Sequence, residues 1–436
     1  MRVLVLSKAC YVAVYRKKLE ELASLPGVQL TLLVPPYWRT GKSKAVLEPG
    51  MSHGYRILVD NPVLNGNFHL HFYPRLPQHL ASLKPDLLHV EEEPYDLVTY
   101  HALRCARRAG IRTVFFTWQN IARRFPLPFR WFERYTLAHS AGAIAGNQAA
   151  GEILRRKGYR GPLALIPQFG VDPQLYSPRQ GLQYLDGMAD TTAGGREVNA
   201  PFLGGNEVAL PLGSDDLREA AGARTDRGQR DSSHVVHEDQ NSVAIASGKA
   251  RPLRIAYVGR FVPEKGIMVL LDAVAGLQGS WCLVLLGDGP LRPVIEKRCQ
   301  ARDLDGKVEL RTSIPSASVP GFLREVDILV LPSLTTRGWM EQFGRVLVEA
   351  MACGVAVVGS DSGEIPNVIG GAGLIAKEGD AADLRRQIQA LLVDPALRQR
   401  LGEIGRNRVM NHYTQRQIAI ETFQFYHQVL EQPGVV

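Results

Sequence analysis

Two carboxylates, Glu341 and Glu349, stand eight residues apart in "MEQFGRVLVEAMACG" (340–354). The stretch after Gly344 is apolar almost all round, as a buried helix is, yet it carries Glu349. An ionised carboxylate taken out of water costs several kcal/mol unless it is paired or hydrogen-bonded. Two partners suit Glu349. One is the hydroxyl groups of a sugar or ribose, which a carboxylate can accept bidentately; the other is Arg345, one turn earlier. Glu341 falls on the loop before the helix, and Gly344 lets backbone N–H groups at the helix start approach a ligand. A second stretch, "VGRFVPEKGI" (258–267), supplies cations. It closes a strand and opens a helix, so Arg260 and Lys265 stand near a helix N-terminus, where the dipole already favours anions. Two cations there suit a diphosphate; two exposed basic residues on a loop are the plainer alternative.

Other motifs fail on context. "RTGKS" (39–43) has Pro36 where a phosphate-binding loop needs its first glycine, and no helix follows; proline also lacks the N–H such a cradle uses. "GAGLIA" (371–376) has dinucleotide-type spacing, but "GLIAK" itself reads as a strand. "DLD" (303–305) sits in a turn before "KVELR", so no metal site is expected. The cysteines at 10, 105, 282, 299 and 353 have no metal-type spacing and read as scattered, reduced thiols of a cytosolic protein.

These residues need a scaffold. Apolar β-branched runs at 2–7, 28–35, 86–91, 113–118 and 142–147 alternate with helical patterns such as 95–110. From Leu253 the alternation resumes with "LRIAYVG", "CLVLLG", "KVELR", "ILVLPS" and "VAVVGS". Continuous apolar strands separated by helices predict parallel sheets covered on both faces, hence two doubly wound α/β units. The expected divisions are a first unit at 1–179, an insertion at 180–250, a second unit at 251–413 and a closing amphipathic helix at 414–436 packed on the first unit. The insertion holds ten glycines and eleven acidic residues but only Tyr184 and Phe202 as aromatics, too polar to offset its chain entropy, so disorder is expected.

Composition bounds the rest. The 436 residues are 45% hydrophobic and 22% charged, ordinary for a globular protein. No run reaches the roughly 18 to 20 apolar residues of a membrane span, and "MRVLVLSKAC" reads as a first strand rather than a signal peptide. The net charge of +8 is uneven: residues 101–160 hold twelve Lys or Arg against Glu133 and Glu152. Basic and aromatic residues interleave at 123–139, a pattern that suits peripheral contact with an anionic membrane. No helix-turn-helix, zinc-finger or RNA-recognition pattern supports nucleic acid as a partner.

In order, "VGRFVPEKGI", "LLGDGPLR", "VDILVLPS" and "EQFGRVLVEAMACGVAVVGSDSGEIPNVI" resemble the retaining, nucleotide-sugar-dependent glycosyltransferases of the group 1 family. The resemblance covers 253–430 and, more loosely, the first 178 residues. It implies a GT-B architecture of two Rossmann-like domains facing one cleft, with the donor held mainly by the second. By position, Arg260 and Lys265, with Gly259 beside them, would neutralise the donor diphosphate. Glu341 would meet the transferred sugar; Gln342, Phe343, Gly344 and Arg345 the sugar and phosphate region; Glu349 the ribose, its partner then being the ligand. The implied activity is transfer of a hexose-type sugar to a glycan or lipid-linked acceptor in surface-polysaccharide or glycolipid assembly, at the cytoplasmic face of the inner membrane. No metal or cofactor is implied, since the departing phosphate would help remove the acceptor proton. The first half departs from the family pattern, reading "FFTWQNIARR" where many members carry a histidine, so Trp118, Gln119 and Asn120 would take over acceptor contacts. Carboxylates of "HVEEEP" (89–94), Glu91 foremost, could bind acceptor hydroxyls or simply favour the next helix N-terminus. A nucleotide-sugar epimerase and a silent sugar-nucleotide-binding scaffold are the competing readings.

Overall fold

A computed structural model describes residues 1–41, 43–49, 53–179 and 251–432. The expected insertion at 180–250 therefore lies outside the described residues.

The first unit runs β1 (Arg2–Leu6), α1 (Lys17–Ala23), β2 (Gln29–Val34), β3 (Tyr37–Thr40), β4 (Ser43–Val46), β5 (Arg56–Val59), α2 (Leu76–Leu83), β6 (Leu87–Val90), α3 (Leu97–Arg108), β7 (Arg112–Thr117), α4 (Phe129–His139), β8 (Gly142–Ala145), α5 (Gln148–Arg156) and β9 (Leu163–Leu165). Seven of these strands form one parallel sheet in the order β5-β2-β1-β6-β7-β8-β9. The central strands β6 and β8 are buried throughout, because helices cover both faces. Neither β5 nor β9 was anticipated. Both are edge strands, half-exposed along their length, so neither shows an unbroken apolar run. Of the rejected "RTGKS" motif, Arg39 and Thr40 close β3 and Ser43 opens β4, paired with Thr40.

The second unit runs β10 (Leu253–Val258), α6 (Ile267–Val274), β11 (Trp281–Leu286), α7 (Arg292–Cys299), β12 (Val308–Arg311), α8 (Val319–Leu323), β13 (Ile328–Leu331), α9 (Arg345–Ala352), β14 (Ala356–Ser360), α10 (Ile365–Ile369), β15 (Leu374–Ala376), α11 (Ala381–Val393) and α12 (Pro395–His412). Its sheet is parallel with the order β12-β11-β10-β13-β14-β15. Each sheet changes winding direction at one place, between β1 and β6 in the first and between β10 and β13 in the second. Such switch points open a crevice beyond the strands' carboxyl ends, where ligands of doubly wound sheets bind.

The last helix, α13 (Gln415–Glu431), returns to the first unit. Its Ile418, Ala419, Phe425, Tyr426 and Val429 join the core formed by β1, β2 and α1, and buried Tyr426 meets His89 Nδ1 at 2.6 Å. The two chain crossings between units lie side by side: the Val171 N–H donates to the Tyr413 carbonyl at 2.9 Å and the Gln415 N–H to the Val171 carbonyl at 3.0 Å. At Gly170 a Cβ would sit 2.5 Å from the Tyr413 carbonyl oxygen, so only glycine permits this approach. Val171 and Tyr176 already belong to the second unit's core, so the chain crosses over before the expected boundary at 179.

Candidate active site

At the second switch point, β10 delivers Gly259 and Arg260, and β13 delivers Pro332 and Ser333. Gly266, at φ +68, would place a Cβ 1.9 Å from the Pro332 carbonyl oxygen. Glycine therefore lets the start of α6 press onto the end of β13, and this seats Lys265 in the interior at 5% exposure. Its ammonium donates to Glu341 Oε2 at 2.9 Å and stands 4.7 Å from the Trp339 ring centroid. The Ser333 hydroxyl donates to the same Oε2. Glu341 has no exposed surface, and its Oε1 has no hydrogen-bond partner among the described residues. A buried carboxylate oxygen left without a donor is costly in a chain that has tied down the other one. The Glu341 backbone is held equally firmly, since Gly363 would place a Cβ 2.0 Å from its carbonyl oxygen. Arg260 is more loosely held, its guanidinium 39% exposed and 3.9 Å from Glu264.

The helix α9 begins at Gly344, whose φ of +78 admits it beside Leu331. Glu349 is buried, and of the two partners that the sequence offers, Arg345 is the one the fold itself supplies. Within the chain, Oε1 accepts from Arg345 Nε at 2.7 Å and from the Tyr176 hydroxyl at 3.1 Å. The charge of Glu349 raises the Arg345 pKa further above its usual value. Phe343 differs from expectation: its side chain is core, 5.6 Å from the Tyr413 ring. The Gln342 amide crosses the cleft to donate to the Trp118 carbonyl at 3.1 Å. What 342–345 can present to a ligand is thus mainly backbone N–H groups at the start of α9.

The facing half comes from the first switch point. Trp118, Gln119 and Asn120 follow β7, and Trp118 and Asn120 meet the 338–342 loop directly. Asn120 Nδ2 donates to the Met340 carbonyl at 3.1 Å, Asn147 Nδ2 to the Gln342 carbonyl at 3.3 Å, and Arg123 to the Gly338 carbonyl. Trp118 lies flat on Gly146, where a Cβ would be 2.1 Å from the ring, and its indole N–H donates to Gln168 at 3.0 Å. Gln119 accepts from Lys157 at 2.9 Å. Trp118 and Asn120 therefore join the two units as well as lining the cleft.

The three glutamates after β6 separate sharply. Glu91, the expected acceptor contact, is wholly buried on Lys18, with Gln168 donating to its second oxygen at 3.4 Å, so it offers the cleft nothing. Glu92 is buried on Lys8. Glu93 is half-buried; its Oε1 accepts the Trp118 N–H at 2.8 Å and its Oε2 the Thr117 hydroxyl at 2.6 Å. Burial pushes the Glu93 carboxyl up to about 7 despite those two hydrogen bonds, and the nearby Asp96 charge adds to the rise. Sequence reasoning did not separate these three, because pairing with Lys8 and Lys18 is a tertiary fact. Ser333, by contrast, could have been read from its place at the end of "ILVLPS".

Among the described residues no helix is long and apolar enough to cross a membrane. The family profile described as "Glycosyl transferases group 1" matches residues 240–408, and that described as "Glycosyl transferase 4-like domain" matches residues 12–168. An uncharacterized glycosyltransferase of Methanocaldococcus jannaschii is 34% identical over 152 residues, covering 34% of this chain and 41% of that protein. The lipopolysaccharide core biosynthesis glycosyltransferase LpsE of Rhizobium meliloti is 34% identical over 164 residues, covering 37% of this chain and 46% of its own length. The chain thus spans less than half the length of these curated relatives. The fold is similar to that of Anabaena HepE solved in complex with UDP, with TM-score 0.64 and 14% identity over 98% of this chain and 100% of that one. With both units matched in order and the GT-B fold in place, the chain belongs to the group 1 glycosyltransferases.

Proposed function

We propose that this protein transfers a hexose-type sugar from a nucleoside diphosphate-sugar to a glycan or lipid-linked acceptor, with retention of anomeric configuration and without a metal ion, in surface-polysaccharide or glycolipid assembly. The observation that carries the reading is Glu341: no exposed surface, one oxygen tied to Lys265 and Ser333, the other unpartnered at a switch point. That oxygen suits the hydroxyls of the transferred sugar. Arg260, half-exposed at the same crevice, suits the diphosphate, and the N–H groups at the start of α9 add a fixed dipole. As the anomeric bond breaks, negative charge develops on the diphosphate and positive charge on the sugar ring. Preorganised groups of opposite sign stabilise each without reorganising. Front-face attack, with the acceptor oxygen arriving on the side the phosphate leaves, gives retention without a protein nucleophile. UDP in the HepE complex makes UDP-glucose the first donor to try.

Glu349 serves the ribose in this reading, with Arg345 and Tyr176 orienting it. The exposed Leu127 and Trp131, at 76% and 49%, flanked by exposed Arg124, Arg130 and Arg134, support contact with anionic lipid at the inner membrane. The test of the donor is a thermal-shift panel of UDP, GDP, dTDP and ADP on the wild type and Glu349→Ala. Stabilisation by one nucleotide, lost in the variant, is expected. No response to any nucleotide sinks the reading. Product NMR then reports the anomer, and turnover unchanged by EDTA the absence of a metal requirement.

A further inference from the structure

We infer that Glu93 receives the hydroxyl of the acceptor and takes its proton as the new glycosidic bond forms. This rests on the transferase reading but replaces the departing phosphate as the expected proton acceptor. Three consecutive carboxylates leave β6 beside the switch point, and the first two each hold a lysine in the interior. Among the described residues no cation bonds to the third. Its two oxygens are held by the Trp118 N–H and the Thr117 hydroxyl, which fix the carboxylate and leave each oxygen a lone pair.

Its position links it to the donor half. Glu93 accepts from the Trp118 N–H, and the carbonyl of that same residue accepts from Gln342, the neighbour of Glu341. One residue therefore connects the two carboxylates across the cleft. The surroundings suit a neutral sugar: Tyr95 is stacked on Phe125 at 4.1 Å with the His69 ring 5.8 Å away, a wall against which the C–H face of a pyranose packs. The charged and titratable groups that face Glu93 are Lys8, already paired with Glu92, Asp96, His69, which is bonded to Asp96 at 2.7 Å, and Tyr95.

The step balances. The acceptor O–H gives its proton to a Glu93 oxygen while the acceptor's own oxygen atom bonds to the anomeric carbon. The bond from that carbon to phosphate breaks, its electron pair leaves with the nucleoside diphosphate, and Glu93 later returns the proton to solvent. Burial already lifts the carboxyl to about 7, which suits a group that must both accept and release a proton near neutrality.

The experiment measures nucleotide release by the full chain from UDP-glucose, or from whichever nucleotide sugar the stability panel selects. Water, octyl β-glucoside and octyl β-galactoside serve as acceptor probes from pH 5.5 to 9. Glu93→Gln keeps both local hydrogen bonds, since its amide oxygen can accept from Trp118 and its NH2 can donate to Thr117. Turnover should fall on the order of 100- to 10,000-fold, the usual range for losing a general base, with nucleotide-induced stabilisation unchanged. The wild-type rate should fall below about pH 7, a limb missing in Glu93→Gln and displaced to lower pH in Asp96→Asn. Glu93→Asp, with its charge drawn back by one methylene, should be intermediate. Turnover within threefold of wild type in Glu93→Gln, or an unchanged acid limb, overturns the role of Glu93 alone. A wild type that neither binds nor cleaves any nucleotide sugar overturns the donor reading and this inference with it.

Discussion

Replacing Lys265 by alanine should damage the fold as well as the chemistry, and the geometry fixes the scale. Ammonium and carboxylate lie 2.9 Å apart, with side-chain exposures of 7% and 0%. At an effective dielectric of about 20 their attraction is roughly 6 kcal/mol, offset by the cost of taking both charges out of water. Removing one partner leaves the other buried, with only the Ser333 hydroxyl on its bonded oxygen. Breaking such a pair costs about 3–5 kcal/mol. At the lower end this lowers the melting temperature of the second unit by roughly 6–12 °C. Sequence alone suggests that Lys265→Ala would leave the fold intact; burial of the pair removes that expectation. A double-mutant cycle with Glu341→Leu isolates the term. Lys265→Met combined with Glu341→Leu should regain much of the loss, because an apolar pair of similar volume carries no unpaired charge. Urea unfolding of the wild type, Lys265→Met, Glu341→Leu and the double variant reads the coupling, with Lys265→Ala measured beside them. Additive effects, or a loss under about 1 kcal/mol in Lys265→Ala, would refute the reasoning. Transfer should also fall at least about a hundredfold in Lys265→Ala and in Glu341→Ala, the scale of one preorganised charge contact.

Other outcomes follow from single contacts. Gly266→Ala forces a Cβ to within 1.9 Å of the Pro332 carbonyl at a positive φ, so it should lower the melting temperature sharply and depress nucleotide binding; a wild-type thermal profile would contradict the geometry. Gly170→Ala meets the Tyr413 carbonyl at 2.5 Å where the chain crossings adjoin, and limited proteolysis should reveal loosened units. Because folding raises the Glu93 pKa, the folded state binds that proton more tightly and stability falls as pH rises from the ordinary carboxylate range through about 7. Glu93→Gln should therefore gain stability over wild type at pH 8 but not at pH 4.5, as calorimetry would read. Leu127→Ser with Trp131→Ser should reduce retention on liposomes containing anionic lipid at low salt; equal retention would move the membrane contact elsewhere.

The central strands of both sheets were legible as apolar runs, because a strand covered on both faces must be apolar along its length. So was the place of Arg260 and Lys265 before α6 and of Glu341 before α9, since strand-to-helix junctions lie at the binding edge of such sheets. The edge strands β5 and β9 were not legible, as one-sided burial leaves no continuous run. What only tertiary structure decided is which charge meets which. "HVEEEP" contains three equivalent carboxylates until Lys18 and Lys8, far away in the chain, fold back onto Glu91 and Glu92 and leave Glu93 to the Trp118 N–H and the Thr117 hydroxyl. Likewise Glu349, with Arg345 beside it on the same helix, gains the distant Tyr176 hydroxyl, while Glu341 takes Lys265 and Ser333 and keeps one oxygen unpartnered. Periodicity reports which face of an element is buried. Which groups share that buried space is set by long-range packing, and the cost of unpaired charge there separates the structural carboxylates from those at the cleft.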